Sequence, residues 1–156
     1  MTDLPESVDT DKIVKFYGSR GSYAVFSNFS LNPFFLDGHL WRTNEHYYQS
    51  QKYAGTPDEV KIRELKTPRE AFYEGRDKKK TVRADWNQAK ETVMYAGLKA
   101  KFSQHPALRQ ILLSTGNAYI VENSPTDYFW GWGKDQSGKN RLGHLLMRLR
   151  EELKTS

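Results

Sequence analysis

Residues 43–53, TNEHYYQSQKY, begin with helix-capping residues and are followed by Gly55, yet they contain no Val, Ile, Leu or Met. An ordinary surface helix hides an aliphatic stripe. This one has none to hide. Glu45, Tyr48, Gln49 and Lys52 follow one another at helical spacing, which brings all four to one face. The opposite face, with His46, Tyr47, Ser50 and Tyr53, is no more apolar. A fully solvated helix is expected to carry more Lys, Glu and Ala. Amides and aromatics on every side fit a helix that borders a polar pocket. The plainer alternative is an exposed polar face with i,i+4 pairs.

The chain has 156 residues, a length that points to one domain with a core of its own. It contains no cysteine, which excludes disulfides, thiolate metal sites and cysteine nucleophiles. A net charge of +5 favours anionic partners such as nucleic acid or a phosphorylated small molecule, although many proteins are this basic without such a role. Aromatics make up 13% of the residues, and many stand beside Gly, Asn, Asp or Arg, as in stacking surfaces and equally in mixed cores. Residues 1–11 are polar and acidic and read as a disordered lead to a domain spanning 12–156. No stretch approaches the roughly 18 apolar residues of a membrane span. An intracellular protein without a membrane partner is expected, cytoplasmic or, in a eukaryote, nuclear.

The expected elements run as follows. A strand covers 12–18. Asp37-Gly38 turns a hairpin within 33–42. The polar helix covers 43–54, capped by Thr43 or Asn44. A short charged helix covers 57–66. Residues 67–76 form a helix with a capping box, Thr67 with Glu70. A basic loop covers 76–83. The longest helix runs from Asp85 to about Ser103 with a stripe of Ala89, Val93, Ala96 and Ala100, widened by Met94, Leu98 and Phe102. A helix at 105–116, a strand at 117–123 and a long Gly- and Trp-bearing loop at 124–140 follow. An amphipathic helix over 141–154, capped by Asn140, closes the chain. The fold class is α+β, mostly α-helical in a single domain with a few short strands.

A carboxylate such as Glu45 beside a sugar C1 can stabilise oxocarbenium-like charge or activate water. Lys52 can hold phosphate as an ammonium or attack a carbonyl carbon as an amine. In the 124–140 loop, glycines permit close backbone approach to a ligand, and Asp127 is a second candidate carboxylate. GKNRLG at the start of the last helix, with Lys139 and Arg141, suits an anion; a capped helix with solvated basic residues is the plainer reading. The four histidines, at 39, 46, 105 and 144, show no zinc spacing, and there is no nucleophile elbow, P-loop or dinucleotide fingerprint. No metal or cofactor is expected.

FSNF (26–29), LWRTNEHYYQSQKY (40–53), EGR (74–76), Trp86, VMYAGLKAKF (93–102), LLSTG (112–116) and the DYFWGWG…GKNRLGHLLMRLR region (127–150) occur in an order that resembles the NADAR, or YbiA-like, N-glycosidases. The resemblance spans nearly the whole chain; the segment after Gly131 departs slightly. It implies a YbiA-like fold and cleavage of N-glycosidic bonds. Carried over, it assigns Glu45, Lys52, Trp86 and Asp127 as catalytic. With it, Arg20, Asn28, Phe29, Tyr48, Gln49, Arg76, Trp130, Gly131, Asn140 and Arg141 are expected to bind substrate. One branch of the family removes ADP-ribose from guanine bases of nucleic acid, reversing an ADP-ribosyltransferase. Another cleaves phosphorylated intermediates of riboflavin synthesis. The first is the preferred expectation here, with Lys52 as a candidate Schiff-base former. A non-catalytic reader of ADP-ribose or nucleic acid is the competing class.

Overall fold

The structure, a computed structural model, describes residues 3–156. Among the described residues it contains four strands and six α-helices: β1 Asp9–Phe16, β2 Phe34–Leu36, β3 His39–Trp41, α1 Asn44–Gln51, α2 Pro57–Glu64, α3 Pro68–Gly75, α4 Trp86–Gln104, α5 Pro106–Ser114, β4 Ala118–Glu122 and α6 Arg141–Lys154. This is the expected mostly helical α+β composition. The chain divides into two compact units, one comprising Asn28–Gln104 and the other the chain up to Ser27 with His105–Ser156.

In the 28–104 unit, β2 and β3 form the expected hairpin, with Phe34 opposite Trp41. Asp37 and Gly38 both take positive φ, 53° and 79°, as a tight two-residue turn with right-handed strand twist requires. The hairpin and α2, α3 and α4 surround α1, whose residues Asn44 to Ser50 are all buried. This explains the missing aliphatic stripe: the helix is enclosed by the other elements of its unit, and its polar side chains meet partners inside the protein except at Asn44 Oδ1 and Gln49 Oε1. Thr43 caps it, accepting from the His46 N–H at 3.2 Å. His46 Nε2 lies 2.9 Å from the Leu65 carbonyl, and its Nδ1 lies 2.8 Å from the Thr43 hydroxyl. Burial, the largest influence, holds the His46 pKa below its usual value despite the Leu65 carbonyl. A neutral ring donating through Nε2 and accepting through Nδ1 satisfies both bonds. Ser50 Oγ donates to the Tyr47 carbonyl at 2.8 Å.

Small residues let the helices cross closely. A Cβ at Gly97 of α4 would collide with the Asn44 side chain. The buried face of α4 is centred on Met94, Leu98 and Phe102, with Gly97, Ala100 and Lys101. This differs from the expected alanine stripe, because Ala89, Val93 and Ala96 lie only partly covered. The capping box at Thr67 and Glu70 forms as expected. Lys80 bridges Asp58 and Glu74, each at 2.9 Å, joining α2, α3 and the loop beyond α3.

In the other unit, β1 and β4 pair in parallel, with Val14 opposite Ile120 and a register shift between Asp9 and Ile13. The strand starts at Asp9 and so takes in residues from the segment read as a disordered lead. Earlier still, Asp3 meets Arg141 and His144. Helix α6 buries Leu142, Leu145, Leu146, Met147, Leu149 and Leu153. Gly143 lets α6 approach β4, since a Cβ there would strike the Ile120 carbonyl. Buried Arg150 donates to the Thr115 hydroxyl at 2.9 Å and the Ala118 carbonyl at 2.8 Å, tying the end of α5 to the start of β4. Asn140 is not a side-chain cap: it sits at φ 49° and makes no capping bond. Its amide instead donates to the Ile120 carbonyl at 2.9 Å and accepts from the Glu122 N–H at 3.0 Å.

Candidate active site

The predicted site residues fall into two sets, one on each unit. On the 28–104 unit, α1 presents Glu45, Tyr48, Gln49 and Lys52 as the spacing implied. Glu45 is 6% exposed and Gln49 3% exposed. Gln49 Nε2 donates to Glu45 Oε2 at 2.7 Å, a short charge-assisted bond one helical turn long. The Glu45 backbone N–H, in the first turn where helix donors lack internal acceptors, donates to the Asn28 carbonyl at 3.0 Å.

Helix α1 ends at Gln51, earlier than expected, and Lys52 is its C-cap with right-handed helical backbone, φ −57° and ψ −25°. That conformation carries the helical face on by one residue, so Lys52 stays with Glu45 and Gln49. Its ammonium donates to the Gly75 carbonyl at 3.3 Å and lies 5.8 Å from the centre of the Tyr48 ring. Burial is the largest influence on Lys52 and pushes its pKa below the usual lysine range. Glu45 opposes the shift, while Arg76 and Lys90 reinforce it.

Trp86 opens α4 beside this face, its ring centroid 5.1 Å from that of Tyr48 and tilted by 56°. Arg83 sets the entry to α4. Its N–H donates to the Lys52 carbonyl at 2.9 Å, and its guanidinium grips Asp85 through two bonds of 2.6 and 2.8 Å. Phe29, 38% exposed, meets Phe72 edge to face at 6.2 Å, and Arg76 lies 4.8 Å over the same Phe72 ring. Asn28 is placed differently from expectation. Its Oδ1 accepts from Asn44 at 2.9 Å and its Nδ2 faces Met94 Sδ at 3.4 Å, so the buried amide braces α1 and α4.

On the other unit, Asp127 Oδ1 accepts from the N–H groups of Phe129 at 2.9 Å and Trp130 at 2.7 Å. Ser124 Oγ accepts from the Asp127 N–H at 3.0 Å. Asp127 thus organises the turn that bears Trp130, whose ring meets Phe129 edge to face at 4.7 Å. Gly131 is needed for close approach: a Cβ would lie 2.9 Å from the Glu122 carbonyl. Arg141, expected to hold phosphate, pairs with Asp3 at 2.7 Å. Arg20 is exposed. Sequence reasoning missed Gly75, Tyr53 and Lys90 as neighbours of Lys52. Gly75 entered only as part of the EGR stretch, and Lys90 follows Trp86 by one turn of α4, a signal that spacing alone could have supplied.

A buried carboxylate and a lysine held below its usual pKa thus share one face of α1, with the indole of Trp86 from α4 beside them. The NADAR domain model matches residues 15–154, and the chain belongs to that family. It is 45% identical over 148 residues to N-glycosidase YbiA of Escherichia coli strain K12, covering 95% of this chain and 92% of that protein. It is 41% identical to the chloroplastic riboflavin biosynthesis protein PYRR of Zea mays, covering 90% of this chain but 25% of that longer protein. The NMR structure of E. coli YbiA superposes with a TM-score of 0.87 at 44% identity, covering 95% of this chain and 88% of that one. No helix among the described residues is long and apolar enough to cross a membrane.

Proposed function

We propose that the chain is an N-glycosidase that hydrolyses the bond between ribose C1 and a base nitrogen, and that its substrate is guanine carrying ADP-ribose in DNA or RNA. The observation that carries the reading is the pairing on α1 of buried Glu45 with Lys52, whose pKa lies below that of an ordinary lysine. In the proposed reaction the ribose ring opens at C1–O4, the bonding pair leaving on O4 and C1 becoming an iminium carbon to the guanine nitrogen, and the neutral Lys52 amine adds to C1. Glu45 moves one amine proton to the departing guanine nitrogen, breaking the C1–N bond, and the second amine proton goes to O4, leaving a C1–lysine imine and an O4 hydroxyl. Water hydrolyses the imine, frees the amine and returns C1 as the aldehyde, which recloses to ADP-ribose. The net change is one water consumed. Trp86 with Tyr48 offers the stacking surface for a planar base. The net charge of +5 favours a polyanionic substrate, and Lys78 and Lys79 are exposed beyond α3. Such an enzyme reverses the work of a guanine ADP-ribosyltransferase, its functional counterpart.

A second reading takes a phosphorylated intermediate of riboflavin synthesis as substrate, favoured by the name of the maize relative. Both have a ribose C1 bonded to nitrogen, so the same α1 face serves either. The test sets the two substrates side by side: a DNA oligonucleotide with ADP-ribose on guanine, and the phosphoribosyl pyrimidine intermediate. Release of ADP-ribose from the first alone is the expected result. Cleavage of the second alone overturns the substrate assignment and leaves the glycosidase reading standing.

A further inference from the structure

Gly75 closes α3 and is buried against α1. A Cβ at this position would enter the space held by the Gln49 side chain, colliding with its Oε1 and lying 2.6 Å from its Cβ. The other end of the same amide donates to Glu45 at 2.7 Å. Gly75 also offers its carbonyl to two donors, the Tyr53 hydroxyl at 2.7 Å and the Lys52 ammonium at 3.3 Å. One residue without a side chain therefore meets both halves of the α1 face, through an absent Cβ on the Glu45 side and through a carbonyl on the Lys52 side.

We infer that Gly75 is a positioning residue that fixes Glu45 and Lys52 relative to one another, acting on Glu45 through Gln49. The inference rests on the reading that Glu45 and Lys52 carry the reaction. Three features support it. The Gly75 backbone is not among the positive-φ positions, so alanine fits its conformation and only the side-chain space is at issue. Gln49 is 3% exposed and cannot swing into solvent to make room. Gln49 Oε1 has no hydrogen-bond partner, so the amide is oriented by its Nε2 bond to Glu45 and by the Gly75 surface it rests on, and any displacement is passed to the carboxylate.

The test is a cycle of Gly75→Ala, Gln49→Ala and the double variant. Each is assayed for kcat and KM on whichever of the two substrates the native protein cleaves, and for the pH dependence of Lys52 labelling by an amine-reactive reagent followed by peptide mass spectrometry. Gly75→Ala is expected to lower kcat at least tenfold, to leave KM within threefold, and to shift the Lys52 labelling midpoint to lower pH as the carbonyl and Glu45 are displaced. In the Gln49→Ala background, where the space is open, adding Gly75→Ala is expected to change kcat less than threefold. Native kcat with an unmoved labelling midpoint in Gly75→Ala overturns the inference, as does an equal loss in both backgrounds. If Gly75→Ala does not fold, Gln49→Ala alone decides: native kcat in it shows that Glu45 needs no positioning. Glu45→Gln and Lys52→Ala serve as controls. If those two keep activity, the catalytic reading fails; if they lose it while Gly75→Ala does not, only the positioning role fails.

Discussion

Gln49 Nε2 donates to Glu45 Oε2 over 2.7 Å, and both residues are buried on the same turn-to-turn face of α1. The bond fixes the direction of the Glu45 carboxylate from within its own helix. The polar character of the helix follows from this enclosure.

Glu45→Gln keeps the shape of the side chain and removes its charge. Turnover is expected to fall on the order of 100-fold or more, the scale of lost general acid–base or charge stabilisation. The fold is expected to persist, since replacing a buried charge by an isosteric amide relieves desolvation. Steady-state kinetics with a thermal melt check both; native turnover removes Glu45 from the reaction.

Lys52→Ala is expected to abolish turnover, and Lys52→Arg not to restore it, because a guanidinium supplies no free amine. Borohydride added during turnover is expected to fix a ribosyl adduct on the peptide containing Lys52, seen by mass. The reactive species is the neutral amine, so the rate rises with pH through the Lys52 pKa. Because burial lowers that pKa, the rise is expected to level off below the ordinary lysine value of 10.5. Full activity of Lys52→Ala leaves no place for a covalent lysine.

Asp127 Oδ1 is an acceptor for three backbone N–H groups, those of Phe129, Trp130 and, at 3.5 Å, Gly131. Asp127→Ala removes their acceptor and is expected to cost about 1–3 kcal/mol. Asp127→Asn retains an oxygen acceptor and is expected to cost less than about 1 kcal/mol. Denaturant titration of the two variants separates the acceptor from the charge; equal losses show that the loop depends on the negative charge itself.

Lys101 on α4 is fully buried, and burial pushes its pKa down to about 7. In the unfolded chain the amine keeps its ordinary value of 10.5. Between those two pH values the unfolded state binds the extra proton, so stability is expected to rise as pH climbs from about 7 to 10.5, and to be lowest at and below 7. Lys101→Met fills similar volume without charge. It is expected to raise stability near neutral pH by a few kcal/mol and to flatten the slope. Urea melts across that range check the sign, and an unchanged slope in the variant assigns the pH dependence to other groups.

Local rules made much of the chain legible before any coordinates. The Asp37-Gly38 turn, the Thr67–Glu70 capping box, Thr43 as a cap and the leucine face of α6 all depend on residues within a few positions of one another. Their chemistry is therefore written in sequence order. The face shared by Glu45, Tyr48, Gln49 and Lys52 was readable for the same reason, as helical spacing is a local property. Tertiary structure alone decided that α1 is enclosed by the other elements of its unit, which turned an apparent absence of apolar surface into a buried polar helix. It placed the Gly75 carbonyl on Lys52, directed the Asn28 and Asn140 amides into the protein and paired Arg141 with Asp3. It also buried Lys101 on a face that small-residue periodicity had placed elsewhere. These contacts join residues tens of positions apart. Which donor meets which acceptor across such distances depends on how the elements pack, and burial then sets the pKa of each group they enclose.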